Sequence, residues 1–119
     1  MRINEMAQKA YQTAEEHGFH PKNRKLTHER ISSRLALIHS EISEALEVVR
    51  EKRKKRFGNP LETYFPWCNG KPEGFVIELA DAMIRIGDLA QECDVNLEKA
   101  VKVKMEYNKT RPRKHGRVI

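Results

Sequence analysis

The sequence predicts an all-α fold, a four-helix arrangement that completes its core by oligomerising. Three observations carry that prediction. Apolar residues recur at three- and four-residue spacing in four separate stretches, no stretch alternates apolar and polar residues as a half-buried strand would, and turn-forming residues fall between the periodic stretches. At 119 residues, with 39% apolar and 34% charged side chains, the chain suffices for one domain over 1–119 with a single core. Its mean hydropathy of -0.75 is polar, yet the apolar residues are periodic rather than scattered, as a folded chain requires. So small and charged a helical chain is expected to cover its remaining apolar surface with a second copy, giving a homodimer or homotetramer.

The first helix is predicted over 4–17, where Met6, Ala7, Ala10, Tyr11 and Ala14 form a stripe and Gly18 supplies a C-terminal stop. Turn residues fill 18–26, and Thr27 is the expected N-cap of a long second helix over about 28–55. The stretch RFGNPLETYFPWCNGKPEG, residues 56–74, holds several prolines and glycines and reads as a loop over 56–73. A third helix is expected to begin at Pro72 and run to about 92. Asp94 or Asn96 is placed to cap a fourth over 97–109, followed by a basic tail over 110–119.

The formal net charge is +6, with positive charge concentrated in EKRKKRF (51–57) and in the C-terminal segment, and negative charge in 41–47 and 73–81. An acidic centre with basic flanks suits a polyanion or a small phosphorylated ligand. Cys68 and Cys93 form no CxxC motif or disulfide framework, and no segment is apolar enough to be a signal peptide or membrane span. The expectation is a cytoplasmic protein without a membrane partner.

The chemistry is concentrated in LIHSEISEALEVV, residues 37–49. At 100° per residue, Leu35, Ile38, Ile42, Ala45, Leu46 and Val49 form the expected core stripe, while Glu41 and Glu44 lie together on its flank beside Leu37 and Val48. Glu47 points further from the core. In GFVIELADAMIRIGDLA, residues 74–90, Val76, Ala80, Met83, Ile84 and Gly87 face one way, and Glu78, Asp81, Arg85 and Asp88 line another side. Asp81 and Arg85 have the spacing of an ordinary surface ion pair. If the second and third helices pack antiparallel, Glu41, Glu44, Glu78 and Asp81 converge. Four carboxylates in one half-buried place repel, and a hard divalent cation, Mg²⁺ or alternatively Mn²⁺, resolves the conflict. Such an ion commonly binds phosphate oxygens as well, which points to hydrolysis of a phosphoanhydride.

E-x-x-E (Glu41, Glu44) followed by E-x-x-D (Glu78, Asp81) resembles the signature of the MazG-like all-α nucleotide pyrophosphohydrolase superfamily, with its dimeric dUTPase and phosphoribosyl-ATP pyrophosphohydrolase relatives. The similar blocks are LALIHSEISEALE (35–47), ELADAMIRIGDLA (78–90) and KMEYNKTRPRKHG (104–116). The spacer between the acidic motifs is longer here than in compact members. The resemblance implies Mg²⁺-dependent cleavage of a (d)NTP to the monophosphate and pyrophosphate, serving nucleotide-pool control. It also implies Glu41, Glu44, Glu78 and Asp81 as metal ligands, and Lys104, Asn108 and Arg111 as phosphate contacts.

Lys104, Asn108 and Arg111 recur every three to four residues, so the last helix and its exit offer two cations and an amide suited to phosphate oxygens. Glu44 and Glu47 are the candidates for activating a water. Trp67, the one tryptophan, and His20 are the candidates for contact with a base. The alternative function is a basic helical nucleic-acid-binding module without catalysis, using 52–56 and the tail. It explains the charge but leaves the four carboxylates without a role, so a nucleic-acid partner is not expected.

Overall fold

The computed structural model describes residues 1–20, 22, 25–55 and 72–113, with backbone alone for 52–55. Among these residues the regular elements are four helices, α1 (Ile3–Glu16), α2 (His28–Lys55), α3 (Phe75–Glu92) and α4 (Leu97–Lys109). The chain is therefore all-α over its described length. Most of the loop expected over 56–73, and the end of the basic tail, lie outside the described residues.

Local chemistry explains the ends. α1 stops because Gly18 adopts φ 82°, a left-handed conformation that costs glycine little. The Phe19 and Gly18 amides then donate to the Ala14 and Glu15 carbonyls, closing the last turn. Thr27 caps α2 by accepting from the Arg30 amide at 3.1 Å, and Asn96 caps α4 by accepting from the Lys99 amide at 3.0 Å. Asp94, the other candidate cap, instead takes φ 55° in the turn that ends α3. Pro72 does not open α3. Gly74 is the N-cap and Phe75 the first helical residue.

α3 is the centre of the assembly, packing against both α1 and α2, while α4 makes its main contact with α1. The α1–α3 crossing is close because Gly87 has no side chain. A Cβ built there would lie 2.8 Å from Met6 Sδ and 3.1 Å from Ala7 Cα. α4 is tied to α1 at one end. Asn4 Nδ2 donates to Asn96 Oδ1 at 2.9 Å, and Asn4 exchanges hydrogen bonds with Glu98 at 3.3 and 3.1 Å.

α2 and α3 run antiparallel, as two ion pairs show. Arg30 pairs with Glu92 and Arg34 with Asp88, so four residues forward on α2 match four residues back on α3. The expected core stripes are corrected here. The buried apolar residues are small, namely Ala7, Ala45, Ala82 and Ala90, and no large described side chain is fully buried. Leu35, Ile42 and Leu46 on α2, and Val76, Met83 and Ile84 on α3, are all exposed in the single chain. The two helices instead turn their charged sides toward each other.

Candidate metal centre

The antiparallel register that pairs Arg34 with Asp88 has a consequence ten residues further along α2 and ten back along α3. It places Glu44 opposite Glu78. Glu41 lies one turn away on α2, and one carboxylate oxygen from each of Glu41, Glu44 and Glu78 falls within 4.8 Å of the others. Three of the four carboxylates predicted to converge are thus together. Asp81 stands outside that set, at the edge of an adjoining groove it shares with Glu41.

The three carboxylates differ in environment. Glu41 is buried, Glu44 is exposed and Glu78 is intermediate. Burial pushes the Glu78 carboxyl up to about 7, helped by the hydrogen bond with Glu44 that a protonated Glu78 makes and by the charges of Glu44, Asp81 and Glu41. Its Oε2 is buried with no hydrogen-bond partner. Glu41 Oε1 accepts from Arg85 Nε at 2.6 Å across the helix interface. The surface pair expected between Asp81 and Arg85 is therefore replaced, for the guanidinium, by a pair between helices.

A divalent cation fits this donor set. Hard oxygen ligands converge, and an orphaned carboxylate oxygen is the atom a cation would satisfy. Glu41, Glu44 and Glu78 would hold it, with Asp81 nearby. Beside them, α1, α2 and α3 enclose a groove of about 800 Å³. Its wall carries the cations Lys9, Arg34 and Arg85 together with the carboxylates Glu41, Asp81 and Asp88, and Met6, Phe19, Leu37 and Ile84 contribute apolar surface. A ligand with polar and apolar parts suits such a lining.

The remaining predicted residues fall elsewhere. Glu47 pairs with Arg50 at 3.3 Å on the surface, with both side chains at least 60% exposed, apart from the three carboxylates that converge. Lys104 and Arg111 both approach the Tyr107 ring, at 4.8 and 5.6 Å, and no α4 residue lines the groove. Trp67 lies outside the described residues.

His20 is not open to a base. Its Nε2 meets Asp88 Oδ1 at 2.6 Å, its Nδ1 lies 2.9 Å from an Arg30 nitrogen, and Tyr11 stacks on the ring at 4.4 Å between centroids. An Nε2–H tautomer satisfies both nitrogens. With Arg30, Arg34, Asp88 and Glu92 it forms a buried polar network joining the α1–α2 connection to α3. Sequence reasoning missed this network. The available signal was the matched four-residue spacing of Arg30–Arg34 and Asp88–Glu92.

No protein-family model matches the chain, and no curated protein or solved structure matches it significantly. No described helix is long and apolar enough to cross a membrane.

Proposed function

We propose that the chain is a Mg²⁺-dependent nucleoside triphosphate pyrophosphohydrolase, converting (d)NTP and water to (d)NMP and pyrophosphate. The observation that carries the proposal is the meeting of Glu41, Glu44 and Glu78 oxygens within 4.8 Å, with Glu41 also lining the adjoining groove. The three sequence blocks that resemble MazG-like enzymes supply the choice of reaction.

Mg²⁺, when bound, supplies charge neutralisation at the phosphoryl group and acidifies a bound water. Glu41, Glu44 and Glu78 would hold the cation, and Glu44, the most exposed of the three, would also accept the proton of the attacking water. The water oxygen bonds to phosphorus, the phosphoanhydride P–O bond breaks, and pyrophosphate carries away the bond's electron pair. Lys9 and Arg85 would orient the anionic part of the substrate, while Leu37, Phe19 and Ile84 would take the apolar face of its base.

The proposed state is a homodimer or homotetramer. Leu35, Ile42 and Leu46 on α2, with Leu79, Met83 and Ile86 on α3, are each 39–57% exposed in one chain, a density of apolar surface that monomers rarely present. Sedimentation equilibrium is expected to give a dimer or tetramer, and a monomer at micromolar concentration contradicts this part.

A (d)NTP panel with Mg²⁺, scored for pyrophosphate against orthophosphate, tests the activity. Glu41→Gln keeps the shape and removes the charge, and is expected to lower turnover at least about 100-fold, in the range of losses seen when one group stabilising transition-state charge is removed. Equal turnover by Glu41→Gln contradicts the metal site, and release of orthophosphate alone contradicts the pyrophosphohydrolase.

A further inference from the structure

The ion pairs between α2 and α3 are of two kinds. Arg30–Glu92 and Arg34–Asp88 follow the helix register, and all four side chains are no more than 11% exposed. Arg85–Glu41 departs from both patterns. The register sets Asp81 opposite Glu41, so Arg85 reaches back one turn of α3 to make its hydrogen bond. Its side chain is 40% exposed while that of Glu41 is 10% exposed, so the carboxylate is fixed and the guanidinium stands at the edge. Both residues line the groove, which gives the guanidinium somewhere to go.

Glu41 is also one of the three carboxylates that converge. We infer that Arg85 is the resting counter-ion of this cation site, a positioning residue that competes with a divalent cation for Glu41 and swings into the groove when the cation arrives. The competition is electrostatic. A unit positive charge held against a ligand carboxylate opposes the approach of a second cation, by an amount that solvent at this half-exposed position moderates. Once displaced, the same group adds positive charge to the wall that faces an anionic ligand. Cation arrival and anion recognition are thereby linked through one side chain.

The inference rests on the cation-site reading above, and the test separates the two. Mn²⁺ alone is titrated into the parent, Arg85→Gln and Arg85→Lys proteins by calorimetry, with free Mn²⁺ followed in parallel by electron paramagnetic resonance. Arg85→Gln is expected to bind Mn²⁺ about three- to ten-fold more tightly than the parent, the scale for removing one partly screened charge. Arg85→Lys, which keeps the charge, is expected to stay within about two-fold of the parent. If the parent binds Mn²⁺ and Arg85→Gln binds it equally or more weakly, Arg85 does not compete for Glu41 and the inference falls alone. If the parent binds no Mn²⁺, the cation site falls and the inference with it. Circular dichroism of each variant shows that a change in affinity is not a change in fold.

Discussion

Raising the pH from 5 to 8 in the presence of a chelator is expected to destabilise the protein through Glu78, and Glu78→Gln to remove that part of the pH dependence. The folded-state carboxyl titrates near 7 against an ordinary value of 4.5. Below 4.5 the group is protonated in both folded and unfolded chains and has no differential effect. Between 4.5 and 7 the unfolded chain releases its proton while the folded one retains it, so stability falls as pH rises. Above 7 both are ionised and the loss is complete. The full effect is at most about 3 kcal/mol, with partial solvent access reducing it. Urea unfolding at several pH values, with chelator and with saturating Mn²⁺, provides the measurement. The cation favours the ionised carboxylate, so Mn²⁺ should flatten the parent's profile between pH 5 and 8. Equal slopes for parent and Glu78→Gln in chelator would show that Glu78 is not held protonated by its surroundings.

Asp88→Ala is expected to cost about 3–5 kcal/mol, the usual consequence of removing one partner from a buried charged pair. Asp88 accepts from His20 Nε2 at 2.6 Å and from Arg34, and its side chain is only 8% exposed. Its removal leaves a buried guanidinium and a buried ring nitrogen without their acceptor. The loss also loosens the α1–α2 connection, which Arg30 holds by donating to the Phe19 carbonyl at 3.0 Å. Replacing both partners, as Asp88→Leu with Arg34→Met, should recover much of the stability because no unpaired charge remains. Denaturant midpoints of the three proteins decide the matter. A loss below about 1 kcal/mol for Asp88→Ala would place this network among the solvated pairs of the surface.

Much of the fold was legible because helix ends are written locally. Gly18, Thr27 and Asn96 each act within four residues of their own position, and each does what its chemistry suggests. The acidic pairs were legible too, since Glu41 with Glu44 and Glu78 with Asp81 stand out on two successive helices. Periodicity shows that a helix has a distinct face but not which neighbour that face meets. On α2 and α3 the apolar side and the charged side each form a coherent stripe, and small alanines let the charged sides approach. Leu35, Ile42 and Met83 consequently lie outside a core they seemed made for. His20 was illegible for another reason. Its acceptor Asp88 is 68 positions away, and only the packing of α3 against the α1–α2 connection brings the two together.

The attachment of α4 has a consequence for motion. It has no buried residue along its length, and the hydrogen bonds joining it to α1 gather at Asn4, Asn96 and Glu98. In an isolated chain its amides exchange with solvent through local openings that leave the α1–α3–α2 core intact, at a small fraction of the free energy of global unfolding. The helix that carries Lys104, Asn108 and Arg111 is thus expected to exchange its amides ahead of those of α3, which amide hydrogen exchange would show.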